Sequence, residues 1–252
     1  MTESIKKKRS VIIVTGGTRG IGKCIVERLH NDGYAVLFTH SNSDASAKEL
    51  ANALHLPEHP CVGLKANATA SGIEKAIFDN AEMLGDVVGL VNNAGITGKI
   101  SKLASLEDES LSEIVAVNLV APIRLCREAA RRWDNRSGRS SIVNISSVAA
   151  RTGSPNEYVA YAATKAAIET LSIGLAKELA TKRIHVNAVS PGTVDTDIHA
   201  LAGEPGRAQR VAKNIPMGRP GRPEEIADAV SWLMSDQATY VTGTVINVAG
   251  GL

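Results

Sequence analysis

Seven short runs of β-branched and aliphatic residues recur along the chain, at Val11 to Thr15, Ala35 to Thr39, Cys61 to Lys65, Val87 to Asn92, Ser141 to Ser146, His185 to Val189 and Thr244 to Val248. They are almost continuously apolar rather than alternating, which is the pattern of strands covered on both faces. Between them apolar residues return at helical spacing, as in Ile21, Ile25, Val26 and Leu29, in Ile73, Ala76, Ile77 and Met83, or in Ala162, Ala166, Ile168, Leu171 and Leu175. A strand-helix-strand rhythm with right-handed crossovers has few solutions, and it predicts an α/β fold: a doubly wound parallel sheet of about seven strands with helices on both faces. No linker, composition break or repeat divides the 252 residues, so residues 1–252 read as a single domain. The one long irregular stretch, Asp195 to Arg222, is rich in Gly and Pro and reads as a lid, before Pro223-Glu224-Glu225 opens a helix.

Charge and composition exclude several classes of function. With 28 Lys and Arg against 26 Asp and Glu, the net charge of +2 leaves no surplus for neutralising a phosphate backbone, so no nucleic-acid partner is expected. Eight aromatics (2 Trp, 4 Tyr, 2 Phe) do not make a stacking platform, whereas abundant small residues suit close packing of helices on a sheet. Cys24, Cys61 and Cys126 are odd in number and form no C-x-x-C pair, which argues against a disulfide framework or a cysteine zinc site and fits the cytoplasm. The basic Lys6-Lys7-Lys8-Arg9 run reads as a solvated lead-in, because the apolar run after it is too short for a signal peptide. No stretch approaches a membrane span. His30, His55, His59, His185 and His199 show no metal-ligand spacing and read as surface or capping residues, with no metal expected. Lys177 and Glu178 read as solvent-facing charges.

Directly after the first strand stands Thr15-Gly16-Gly17-Thr18-Arg19-Gly20-Ile21-Gly22, opening a helical pattern. Residues without a Cβ let the backbone bend sharply and approach a pyrophosphate, whose charge then rests on the free amides of the helix N-terminus. The spacing is G-x-x-x-G-x-G rather than the more familiar G-x-G-x-x-G of dinucleotide folds. Farther along stand Asn92-Asn93-Ala94-Gly95 at the end of the fourth strand, Ser147 after the fifth, Tyr161-Ala162-Ala163-Thr164-Lys165, and Pro191-Gly192-Thr193-Val194-Asp195-Thr196 after the sixth.

Taken in this order, the motifs resemble those of the short-chain dehydrogenase/reductase family and cover almost the whole chain. Within it the chain is similar to bacterial 3-oxoacyl-carrier-protein reductase-like and glucose dehydrogenase-like oxidoreductases. The resemblance implies a Rossmann-type fold and hydride transfer between a nicotinamide cofactor and a carbonyl or secondary alcohol. It places the cofactor on Gly16, Thr18, Arg19, Gly20, Ile21 and Gly22, on Asn93, Ala94 and Gly95, and on Pro191, Gly192, Val194 and Thr196.

Hydride transfer needs an acid or base at the substrate oxygen, and a free tyrosine is a poor base at neutral pH. Tyr161 and Lys165 lie i, i+4 on a helix, so they share a face and the ammonium is expected to favour the phenolate. Tyr158 competes for the role, but the residue four beyond it is Ala162. By resemblance Lys165 also binds the nicotinamide ribose, Ser147 hydrogen-bonds the substrate oxygen, and Asn118 holds a water linking Lys165 to solvent. Ser147 stands one residue farther from Tyr161 than is usual in the family. A one-residue insertion within Arg151 to Val159 accounts for this and leaves Ser146 to packing.

The second strand ends at His40, where NAD-preferring relatives carry an acid that binds the ribose 2′-hydroxyl. With Arg19 in the glycine turn and Ser41 and Asn42 following, the expectation is preference for NADP(H), NAD(H) remaining usable. Asn67 stands where relatives carry an adenine-contacting Asp. The lid mixes Ile198, Leu201, Ala202, Val211, Ile215 and Met217 with Arg207 and Arg210, an apolar pocket with a basic rim suited to a ketone, a sugar or an acyl thioester. Relatives form tetramers through the helices flanking the fifth strand and the C-terminal strand, and Ala160 to Ala167 and Val241 to Leu252 are compatible with a homotetramer. The competing reading is a nucleotide sensor that has lost catalysis.

Overall fold

The computed structural model describes residues 9–252, so the Lys6 to Lys8 part of the lead-in lies outside the described residues. The strands are β1 (Ser10–Val14), β2 (Ala35–His40), β3 (Cys61–Lys65), β4 (Asp86–Asn92), β5 (Ser140–Ile145), β6 (Ile184–Pro191) and β7 (Val245–Val248). They form one parallel sheet in the order β3-β2-β1-β4-β5-β6-β7. The helices are α1 (Gly20–Asn31), α2 (Asp44–Ala53), α3 (Ile73–Glu82), α4 (Asp108–Val115), α5 (Ala121–Arg132), α6 (Ala149–Thr152), α7 (Val159–Leu179), α8 (Ile198–Leu201), α9 (Arg207–Ala212) and α10 (Pro223–Met234). All seven expected strands are present, with ends shifted by two residues at most.

The pleat explains why the strands read as continuous apolar runs. Ile12 and Val14 face one layer with α1 and α10, among Ile25, Val26, Leu29, Ile226 and Val230, while Val11 and Ile13 face the opposite layer with α3, α5 and α7. The C-terminal strand departs from this pattern: β7 is an edge strand whose residues are only partly covered. Because strand order reverses at β1 and β4, the carboxyl ends of these strands open a crevice, the place where open α/β sheets bind ligands.

The segment expected to be one irregular lid holds two short helices, α8 and α9. It is pinched at its base by a backbone bridge between Val194 and Gly221, with Asp195 N donating to Gly221 O at 3.0 Å and Gly221 N to Thr193 O at 2.9 Å. Its apolar residues divide: Ala202 and Ile215 are buried, whereas Leu201 and Met217 are exposed. Among the histidines, His30 is not a surface residue; it is buried in α1 with its ring bonded to the His59 carbonyl at 3.0 Å. His55 is exposed, and His59 and His185 are half-buried, while the side chain of His199 lies outside the described residues. Lys177 and Glu178 face solvent. The three cysteines are free. Among the described residues no helix is long and apolar enough to cross a membrane.

Candidate active site

The glycine turn fills the crevice at β1. Gly16 and Gly20 adopt left-handed backbone at φ +68° and +50°, and a Cβ on Gly22 would stand 2.0 Å from the Gly16 carbonyl oxygen and 2.5 Å from Asn93 Nδ2. Gly20, Ile21 and Gly22 precede the first α-helical bond, from Lys23 N to Arg19 O, so the first-turn amides face the crevice without helical acceptors. Arg19 is exposed and forms no ion pair among the described residues. The arrangement fits a dinucleotide pyrophosphate: a cradle closed to side chains, free amides, and a cation beside them.

Asn93 and Thr15 clamp this turn to the sheet. Asn93 Nδ2 donates to Thr15 O at 2.9 Å and Gly16 O at 3.0 Å, while Thr15 Oγ1 accepts the amides of Asn93 and Ala94, each at 3.0 Å. Two parts of the clamp escaped sequence reading. Thr39 bonds Gly16 N through its hydroxyl and Gly17 N through its carbonyl, and Gly17 itself has no room for a Cβ, which would lie 2.6 Å from Phe38 Cβ. The segment after β6 closes the other wall. Pro191 O accepts Val148 N at 2.9 Å, Gly192 packs on Ala249, Val194 is buried, and the Thr196 methyl abuts Gly20.

At the adenine end the sequence expectation changes. His40 is buried, and its Nδ1 stands 3.5 Å from an Asp44 carboxylate that Lys65 also holds at 2.8 Å. Counting along β2 showed no acid here, but the first turn of α2 brings one back. Ser41 and Asn42 are exposed beside it. Asn67 is exposed too, its oxygen taken by the Thr69 amide and hydroxyl at 3.0 and 2.8 Å, which leaves only its amide donors for a ligand.

On the other side of the crevice, α7 carries Tyr161 and Lys165 on one face. The Tyr161 phenol stands beside Ser147, whose hydroxyl accepts the Ala149 amide at 3.2 Å. Ser146 is turned away, donating to Lys165 O at 3.2 Å and to Glu169 at 2.9 Å. Tyr158 packs edge-on against Tyr161, ring centroids 6.4 Å apart, and its buried hydroxyl has no partner among the described residues. The turn that sets this spacing, between α6 and α7, holds Ser154 and Asn156 at φ +43° and +64°, conformations that short polar side chains tolerate best.

Lys165 is buried, donates to Ile145 O at 2.7 Å, and lies 5.6 Å from the Tyr161 ring centroid. Burial lowers its pKa to about 8. Burial also pushes the Tyr161 phenol above its ordinary value, with Tyr158 adding to the rise, while the Ser147 hydrogen bond and the Arg207 charge oppose it. The protein alone therefore keeps the phenol protonated, rather than favouring phenolate through Lys165.

Asn118 sits in a π-helical turn, Ala116–Val120, joining α4 to α5, and is buried. Its side chain grips the Ile96 backbone in both directions, accepting Ile96 N at 2.8 Å and donating to Ile96 O at 2.7 Å, with Thr164 Oγ1 at 3.4 Å. Gly95 brings the pieces together: a Cβ there would lie 3.2 Å from Asn118 Oδ1 and 3.5 Å from Lys165 Nζ. A cavity beside Tyr161 is lined by Leu103, Leu106 and Ile114 together with Thr97, Lys99, Ser101, Glu157 and Tyr158, so apolar and polar groups share its wall. The expected basic rim is neutralised, since Arg207 and Arg210 pair with Glu157 and Glu204.

Comparison with known proteins agrees with this geometry. Residues 16–252 match the family model described as enoyl-(acyl carrier protein) reductase. The chain is 41% identical to the uncharacterized oxidoreductase YgfF of Escherichia coli over 96% of its length and 99% of that protein. It is 39% identical to the 3-oxoacyl-[acyl-carrier-protein] reductase FabG of Aquifex aeolicus, covering 98% and 99%. Among solved structures it resembles a dehydrogenase/reductase from Sinorhizobium meliloti, with TM-score 0.87, 33% identity, and 96% and 94% of the two chains covered. It also resembles a blue fluorescent protein from a metagenomic library in complex with NADPH, with TM-score 0.86, 30% identity, and 96% and 97% covered. The chain belongs to the short-chain dehydrogenase/reductase family and is one of its oxidoreductases.

Proposed function

We propose that the protein is an NADP(H)-dependent oxidoreductase that interconverts a small carbonyl compound and its secondary alcohol, with Tyr161 as general acid and base. The observation that carries this reading is the Tyr161–Ser147 pair beside buried Lys165, at a cavity walled by both apolar and polar groups. When bound, the nicotinamide supplies or accepts the hydride. Ser147 and Tyr161 hold the substrate oxygen; in reduction the protonated phenol delivers its proton to that oxygen as the alkoxide forms. Burial holds the phenol above its ordinary pKa, so in the resting protein it carries the proton that reduction uses. Lys165, 5.6 Å from the Tyr161 ring centroid, would hold the nicotinamide ribose hydroxyls when the cofactor binds. Since the Asn118 side chain is committed to Ile96, a relay water at this position would rest on main-chain carbonyls of the π turn, where the regular helical ladder is broken.

Preference for NADP(H) rests on Arg19, which is exposed and beside the cradle, and on Lys65, which offsets Asp44. The solved relative that binds NADPH supports the same cofactor. We read residues 1–252 as one catalytic unit acting in the cytoplasm, with residues 195–222 as its lid. Exposed Leu111, Val120, Ile123 and Ile173 on α4, the π turn, α5 and α7, with the partly covered edge β7, support a homotetramer. The deciding experiment is incubation with NADPH deuterated at C4 and a panel of ketones, β-ketoesters and acyl thioesters. Deuterium on the carbinol carbon of a product supports the reading. NADPH bound, but with no label in any product, refutes it for these substrates and favours a sensor.

A further inference from the structure

Four charged residues gather where the lid meets the catalytic helix. Arg207, in the first turn of α9, donates to Glu157 Oε2 from Nε at 3.1 Å and from Nη2 at 2.5 Å, and its guanidinium lies over the Tyr158 ring, 5.3 Å from the centroid. Arg210 adds a bond to Glu157 Oε1 at 3.0 Å and holds Glu204 at 2.8 Å. With two guanidiniums against two carboxylates the cluster is neutral, so it is poorly suited to capturing an anionic substrate. Its geometry is that of a fastener.

The fastener lies close to the chemistry. Glu157 stands four residues before Tyr161, its backbone carbonyl accepts Ser101 N at 3.2 Å, and Tyr158, on which Arg207 rests, packs against the Tyr161 ring. Arg207 is well shielded, its side chain 15% exposed against 51% for Arg210, so the inner ion pair is less screened by solvent than an ordinary surface bridge. A guanidinium over the ring together with two N–H donors on one carboxylate oxygen is an arrangement that Arg supports and Lys does not reproduce.

We propose that Arg207 is a positioning residue: by bonding Glu157 and stacking on Tyr158, it latches α8 and α9 over the substrate cavity and holds Tyr158 against Tyr161. This rests on the oxidoreductase reading for its kinetic consequence, but the latch itself is a statement about the lid. Opening the latch loosens the substrate's enclosure while the cofactor cradle, clamped separately by Asn93 and Thr15, stays intact.

The test uses the full-length Arg207→Met, Arg207→Lys and Glu157→Gln proteins. Amide hydrogen exchange over residues 198–212 is expected to accelerate at least about tenfold in Arg207→Met and Glu157→Gln, with exchange in α1 unchanged. The KM for a carbonyl substrate is expected to rise about tenfold or more and kcat to fall less, NADPH affinity staying within about twofold, and Arg207→Lys is expected to recover only part of the loss. Unchanged lid exchange in Arg207→Met and Glu157→Gln overturns the proposal, as does a loss of NADPH affinity and melting temperature in step with kcat, which marks a structural role only. If the wild-type protein turns over no carbonyl, the oxidoreductase reading fails and the exchange experiment decides the latch by itself.

Discussion

The substitution Gly22→Ala probes the cofactor cradle with a single methyl group. The new carbon would meet the Gly16 carbonyl oxygen at 2.0 Å, Asn93 Nδ2 at 2.5 Å and the Gly16 carbonyl carbon at 3.0 Å. Favourable contacts between such atoms lie near 3.5 Å, so the backbone of the turn must retreat by more than about 1 Å. Overpacking of this kind costs about 1–3 kcal/mol, and losing the two Asn93 amide bonds adds about 1 kcal/mol each. A loss of about 3–5 kcal/mol lowers the melting temperature of a chain of this length by about 6–20 °C. Because the same movement pulls the turn out of register with α1, NADPH affinity is expected to fall at least about tenfold. Thermal unfolding by circular dichroism and titration of NADPH fluorescence measure the two effects. Gly33→Ala is the control, since its φ is +91° but nothing lies within 4 Å of the added carbon. It should pay only for backbone strain and bind NADPH normally. A Gly22→Ala protein that melts within about 2 °C of wild type and binds NADPH within about twofold refutes the reasoning.

Other perturbations separate the remaining parts of the site. Arg19→Ala is expected to lower the NADPH-to-NADH ratio of kcat/KM by about ten- to a hundredfold, the worth of one charge-assisted phosphate contact, and an unchanged ratio removes Arg19 from cofactor choice. Ser147→Ala is expected to cut kcat about 10²-fold or more, whereas Ser146→Ala acts on stability with kcat nearly intact; the reverse order would exchange their roles. Lys165 has a folded pKa of about 8, below the unfolded value of 10.5, so between these pH values the unfolded chain holds the extra proton and this residue's contribution to stability rises with pH. The stability difference between wild type and Lys165→Met is therefore expected to shift in favour of wild type by up to about 1.4 kcal/mol per pH unit above pH 8, checked by urea unfolding, and a flat difference contradicts it. Ile123→Lys, a charge placed at the exposed apolar residue of α5, is expected to reduce the oligomer size measured by light scattering.

What was legible in the sequence was local. Apolar runs identified the strands because both faces of this sheet are covered, and the pairing of Tyr161 with Lys165 followed from helical geometry alone. The less legible parts depend on contacts between distant segments. Asp44 returns to His40 only because α2 begins where β2 ends, and Asn118 reaches Ile96 only because a π turn rotates it there. The basic look of the lid disappeared once Glu157, some 50 residues earlier in the chain, folded against it. Gly17 was passed over because its neighbours, Phe38 and Val26, are brought to it by β2 and α1. The upward push on the phenol's pKa comes from burial, which residue spacing does not report.

The central claim is that Tyr161 moves the proton that accompanies hydride transfer, and single-turnover oxidation of NADPH by wild type and Tyr161→Phe with the same ketone tests it most directly. The account predicts a loss of about 10³-fold or more in the rate, with NADPH affinity and melting temperature close to wild type. A Tyr161→Phe protein that reduces the ketone at a rate near that of wild type would contradict it.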